Sequence, residues 1–173
     1  MTAAHRLGFG LAASVLLLDQ GLKWLVTGPL RLAEVGTIDL IPVFALTYAE
    51  NNGVSLNLFA ADSALERWLL VALTATIAIV VTVWMTREKV RGDILALGLV
   101  LGGALGNILD RARLGHVTDY ADLHFGQFRP FMIFNLADAA ITVGIVIILA
   151  RSFLSREKPA DTPATGPDTA PET

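Results

Sequence analysis

"FNLADAAITVGIVIILA" (Phe134–Ala150) is the stretch whose reading decides the fold. It has the composition of a membrane-crossing helix, yet Asp138 falls in its first turns. A carboxylate at the edge of hydrocarbon is costly, so it needs either a structural partner or a chemical task. Three segments of the same kind precede it: "LGFGLAASVLLLDQGLKWLV" (Leu7–Val26), "WLLVALTATIAIVVTVWM" (Trp68–Met85) and "ILALGLVLGGALGNIL" (Ile94–Leu109). Crossing a bilayer core takes roughly 20 apolar residues, and each segment comes near that. In the first, Arg6 precedes an apolar run as in a secretory leader. Asp19, Lys23 and Trp24 then stand where a small-x-small cleavage site is needed, so the segment reads as a retained helix. Tryptophans bound the second segment at both ends, where interfacial aromatics belong. Gly102 and Gly106 in the third permit close helix–helix approach.

The expectation is therefore a membrane α-helical protein, a four-transmembrane-helix bundle with helices at about 7–26, 67–86, 93–111 and 131–151. Apolar residues make up 54% of the 173 and mean hydropathy is +0.59, well outside the soluble range. A net charge of −3 argues against a nucleic-acid partner. The absence of cysteine excludes disulfides, thiolate metal sites and a cysteine nucleophile.

Basic residues orient the helices. The link "REKVRG" (Arg87–Gly92) carries Arg87, Lys89 and Arg91; Arg6 precedes the first helix, and Arg151, Arg156 and Lys158 close the last. The positive-inside rule puts both termini and this link in the cytoplasm, with residues 27–66 and 112–130 outside. Those outer segments carry β-branched and aromatic residues, Pro42 and an Asn-Gly pair, so short strands and a turn are expected at about 31–60 and 114–129. The expected membrane domain is 1–154. Residues 155–173, rich in Pro, Thr and Ala with a net charge of −2, read as a disordered acidic cytoplasmic tail.

The polar residues at the helix ends are the functional candidates. Asp19 and Lys23 are spaced i, i+4 and can neutralise each other as a structural ion pair. Asn107, Asp110 and Arg111 close the third helix, where a helix-terminal network tying the bundle together is the plainer reading. Asp119 lies just outside the third helix and Asp138 just inside the fourth, so the connecting hairpin can bring them together. Two carboxylates at close range share a proton; one then activates water while the other donates, as in aspartic proteases. Asn135 precedes Asp138 by three residues, where its amide can orient the carboxylate or simply bond a neighbouring helix. Zinc-protease, serine-hydrolase and nucleotide-binding motifs are absent, and His5, His116 and His124 lack ligand spacing. His116 and His124 read as exposed loop residues and Asp122 as a solvated loop charge. No metal or cofactor is required.

In order and placement, the stretches "DQGLK" (19–23), "NNG" (51–53), "GGALGNILDR" (102–111), "GHVTDY" (115–120) and "FNLADAAI" (134–141) resemble the bacterial lipoprotein signal peptidases (signal peptidase II). The resemblance covers roughly residues 10–150. It implies an aspartic endopeptidase of the bacterial cytoplasmic (inner) membrane with its site at the outer face. Such an enzyme removes the signal peptide from a prolipoprotein just before the lipid-modified cysteine. By motif position it implies the catalytic pair Asp119 and Asp138, supported by Asp19, Lys23, Asn51, Gly53, Asn107, Asp110, Arg111 and Asn135. It further implies a small extracytoplasmic β-cradle on the bundle, membrane lipids and lipid-modified prolipoproteins as partners, and inhibition by globomycin-type cyclic peptides. A monomer is expected. One departure falls in "VSLNLF" (Val54–Phe59), with Leu56 where the family usually has an aromatic.

Two rivals remain from the residues alone. A small transporter would need charges through the depth of the membrane, whereas those here gather at the outward helix ends. A plain anchor would leave the same polar groups near lipid without a task. A presenilin-type protease would need a G-x-G-D element, which is absent.

Overall fold

The computed structural model describes residues 1–53 and 63–155. The Val54–Phe59 departure and the acidic tail beyond Ser155 lie outside the described residues. The element order is α1 (Ala3–Thr27), α2 (Leu32–Val35), β1 (Thr37–Ile41), β2 (Phe44–Asn51), α3 (Ser63–Arg87), α4 (Arg91–Leu114), β3 (Val117–Leu123) and α5 (Leu136–Ser155). Within the described residues α1, α3, α4 and α5 are long and apolar enough to cross a membrane. The chain is thus a multi-pass membrane bundle with a three-stranded sheet.

Helix ends depart from the hydropathy estimate where caps and backbone pairing set them. α1 starts at Ala3 because Thr2 and His5 form a reciprocal capping box. α4 runs on to Leu114, ending at Gly115, whose φ of +92° is the left-handed stop that glycine tolerates. α5 begins at Leu136, not near 131. Phe134 pairs with Ala121 (N–H to carbonyl 3.1 Å one way, 2.7 Å the other), holding the residues before α5 extended. The four-residue α2 was not anticipated; it carries Leu32 fully buried beneath the sheet.

α4 is the central helix, packed against α1, α3 and α5. Glycine sets those distances. A Cβ on Gly98 would lie 2.5 Å from the Gly8 carbonyl, and one on Gly102 would lie 2.5 Å from the Ala12 carbonyl and 2.8 Å from Val15 Cβ. The backbones of α1 and α4 therefore touch along this stripe, as expected for Gly102. Beside it, Ala12, Met85, Ile94, Leu97 and Leu101 form the buried core. Leu69, Leu73, Ile77 and Val80 point outward from α3, as a lipid-facing surface does. Gly102→Val is expected to separate α1 from α4 and cost about 1–3 kcal/mol. Thermal unfolding in detergent measures this, and an unchanged midpoint would contradict the contact.

The sheet is antiparallel in the order β1-β2-β3. It lies at the bundle end where α1 and α4 finish and α3 and α5 begin, since the chain reaches it from those helix ends. Val26, Leu32, Tyr120 and Ala121 form a second small core between sheet and bundle.

Candidate active site

The first turn of α5 is where the site is built. A helix N-terminus leaves backbone N–H groups without intrahelical partners, and here side chains from β3, α1 and the residue just before α5 take them. The Leu136 N–H donates to the Tyr120 hydroxyl (3.2 Å), the Ala137 N–H to Asp19 Oδ1 (3.0 Å) and the Asp138 N–H to Asn135 Oδ1 (3.0 Å). In return the Asn135 N–H donates to Asp138 Oδ2 (3.3 Å). Asn135 and Asp138 are thus the two ends of a capping box, which holds the Asp138 carboxylate against the helix end.

Asp119 arrives on β3 opposite Ala49 of β2. Asn135 Nδ2 donates to its Oδ1 (2.6 Å) and Asn51 Nδ2 to its Oδ2 (3.0 Å). Asn51 is fixed in turn by accepting the Gly53 N–H (2.9 Å), and Gly53 adopts φ +83°. Asn135 therefore contacts both aspartates, one through its amide and one through its backbone. Asp119 is 2% exposed. Burial pushes its carboxyl up to about 6; the Asp138 charge adds to the rise, while Asn51, Asn135 and Lys23 oppose it.

Beneath the pair runs a buried polar network. Asn107 Nδ2 donates to Asp138 Oδ1 (2.8 Å), and Asn107 Oδ1 accepts from Lys23 Nζ (3.3 Å) and Asn135 Nδ2 (3.4 Å). Lys23 lies 2.7 Å from both Asp19 Oδ2 and Asp110 Oδ2, all three residues being buried. The i, i+4 pair read from the sequence is present, with Asp110 as a third member. Asp110 Oδ2 also accepts the Thr118 N–H (3.3 Å), tying α4 to β3. Gly106 makes room for this cluster, since a Cβ there would fall 2.6 Å from Asp19 Oδ2. Arg111 stands apart from these bonds. Its guanidinium lies beside Gly53, and its buried Nε has no partner among the described residues.

Three participants escaped the sequence reading. Gln20 donates to Asp110 Oδ1 (2.9 Å) and Asp19 Oδ2 (3.2 Å), partners that are charged where it is not. Tyr120 caps α5, and burial raises its hydroxyl to about 12. Asp122 is not a solvated charge. It is 1% exposed, because β3 turns it inward where Arg129 and Thr47 bind it. His116 and His124, which flank β3, are likewise partly buried, near Glu50 and Asp122 respectively.

Each aspartate lines a cavity of its own. Asp138 lines a groove of about 340 Å³ whose other walls are apolar, among them Phe131, Phe134 and Val143. Asp119 lines one of about 700 Å³ with Glu50, Asn51, Gly53 and Arg129. Phe131 and Met132 border both. One carboxylate thus opens to an almost wholly apolar space and the other to a more polar one.

A family model described as Signal peptidase (SPase) II matches residues 11–154. The chain is 56% identical over 153 residues to a lipoprotein signal peptidase of Sphingopyxis alaskensis, covering 88% of each chain. It is 56% identical over 154 residues to one of Rhizorhabdus wittichii, covering 88% of this chain and 90% of that one. A solved structure described as a bacterial membrane enzyme at 2.3 Å resolution superposes with a TM-score of 0.73 at 24% identity, over 90% of this chain and 93% of the other. At that identity the superposition speaks for the fold.

Proposed function

The chain belongs to the signal peptidase II family, and we propose that Asp119 and Asp138 are the catalytic pair of this membrane aspartic endopeptidase, which removes signal peptides from prolipoproteins. The observation that carries the assignment is Asn135, whose amide donates to Asp119 while its backbone N–H donates to Asp138. One residue thus holds both carboxylates, each of which lines one of the two cavities.

Asp119, raised toward neutrality by burial, holds the proton of the pair and donates it to the scissile carbonyl. Asp138, held by Asn107 and the Asn135 N–H, takes a proton from the attacking water. The proton then passes to the leaving amine as the tetrahedral intermediate collapses. Among the described residues Lys23, Asp19, Asp110 and Gln20 form no hydrogen bond or ion pair with either aspartate; Lys23 fixes Asn107, Asp19 fixes the start of α5, and Asp110 and Gln20 hold those two in place. Gly53 lines the polar side, where the substrate backbone passes, and the Arg111 guanidinium stands behind it.

The pH profile tests the proton assignment. Asp119 is protonated below about 6 and ionised above it. The alkaline limb of kcat/KM should therefore begin near that value and fall about tenfold per pH unit. The Asn51 hydrogen bond favours the ionised form, so Asn51→Ala raises the Asp119 pKa and moves the limb to higher pH. A limb that stays in place or moves down removes Asp119 from the acid role.

The domain reading extends to a peptidase unit at 1–154 in the inner membrane, with both termini cytoplasmic and the pair at the outer face. The basic link Arg87–Gly92 and Arg151 at the opposite end from the pair support that orientation. Lipid-modified substrates then meet the pair by lateral diffusion, with the signal segment already in the bilayer. Globomycin-type cyclic peptides should compete for the cavities at the pair, and the enzyme should act as a monomer. The transporter alternative loses support, because Ala12, Leu97 and Leu101 fill the bundle next to the polar network.

A further inference from the structure

The connection from β3 to α5 carries a charged pair for which the catalytic mechanism has no use. Asp122 is 1% exposed, yet its partner Arg129 has a side chain 56% exposed. Arg129 Nε donates to Asp122 Oδ1 (3.0 Å) and Oδ2 (3.2 Å), and Nη2 to Oδ2 (3.1 Å). Thr47 Oγ1 adds a bond from β2 (3.2 Å), and His124 Nδ1 stands 3.9 Å from Oδ1. Burying a carboxylate is costly, and a largely solvated arginine returns little of that cost as stability. What the bidentate contact does fix is the plane and position of the guanidinium.

The intervening chain reinforces this. Phe125 and Phe128 exchange backbone hydrogen bonds (2.8 and 3.2 Å) around Gly126 at φ +62°, making a tight hairpin whose closing end is Arg129. Arg129 then lines the polar cavity that also holds Asp119 and Asn51. Its Nε and one side of Nη2 are engaged with Asp122, while Nη1 makes no hydrogen bond within the described residues. A fixed arginine thus presents unspent N–H donors beside the proposed dyad.

We propose that Arg129 is a positioning residue for the mature side of the substrate, donating to backbone carbonyls of the residues that follow the lipid-modified cysteine. The inference rests on the dyad reading above. An apolar signal segment matches the groove at Asp138, which leaves the polar cavity at Asp119 for the chain that must depart into water. Backbone carbonyls are the acceptor common to every such chain. Glu50 lines the same cavity and disfavours acidic side chains as the target.

The test uses the full-length enzyme in detergent micelles and two substrates. One is a diacylglyceryl-modified prolipoprotein; the other is the same chain ended as an amide at the modified cysteine. Arg129→Lys keeps the charge and loses the planar fork, and Asp122→Asn releases the guanidinium. Each is expected to raise KM for the long substrate about tenfold with kcat within about twofold. Truncating the substrate should cost the wild-type enzyme a similar factor. Truncation and Arg129→Lys together should cost no more than either alone, since both remove one interaction. Additive losses, or a fall in kcat at unchanged KM, would reduce the pair to a fold support and overturn the proposal. If Asp122→Asn fails to fold, Arg129→Lys decides alone. An Asp119→Asn enzyme that still cleaves would sink the dyad reading. A dead Asp119→Asn beside an Arg129→Lys of wild-type KM sinks only this proposal.

Discussion

Asp138→Asn and Asp119→Asn should each lower cleavage of a lipid-modified prolipoprotein by about a hundredfold to ten-thousandfold, as loss of a general acid or base does. The substitutions preserve size and leave one acceptor oxygen. Each site, however, presents two donors: Asn107 Nδ2 and the Asn135 N–H at Asp138, and Asn51 and Asn135 amides at Asp119. The new NH2 group therefore meets a donor, at a stability cost of about 1–3 kcal/mol. Both variants should still insert and unfold cooperatively, only at lower temperature. A mobility-shift assay on purified substrate reads the chemistry, and unfolding in the same detergent reads the fold. Near-normal processing by either variant would remove that residue from the pair.

The second large effect is on stability. Lys23→Met should destabilise the protein by about 3–5 kcal/mol, the usual result of leaving buried charge uncompensated. Lys23 is the one cation within salt-bridge distance of both Asp19 and Asp110 among the described residues. Without it two buried carboxylates face each other with Gln20 as their common donor. The damage should spread to activity, because Asp19 caps the start of α5 and Lys23 supports Asn107. Adding Asp110→Asn to Lys23→Met should recover part of the loss by removing one of the stranded charges. A double variant no more stable than the single would mean that the cluster contributes little through charge.

Much of the site was legible before the fold. Asp19 and Lys23 share a helix face, and Asn135 stands three residues before Asp138; both relations are local and follow from helical spacing. Even so, the capping role of Asn135 depends on α5 starting at Leu136, and the pairing of Phe134 with Ala121 sets that start. Asp122 was misread for a related reason. A charge near the end of an outer strand belongs in water by itself, but β3 is buried along nearly its whole length and Arg129 of the following hairpin closes over Asp122. Tyr120 and Gln20 gave little warning, since their roles rest on contacts with residues distant in the chain.

By itself the sequence determined four membrane-crossing helices and a collection of polar residues gathered toward one end of the bundle. Lipid tolerates few charges, and position along a helix converts directly into depth at about 1.5 Å per residue. Which of those residues meet was decided only by the tertiary structure. Glycine contacts along α4 set the distance to α1, and the β2–β3 ladder places Asn51 beside Asp119. Asn135 then joins Asp119 to Asp138 across the end of the bundle. Periodicity specifies a helix's apolar face, but not the rotation, approach and strand register on which a shared proton depends.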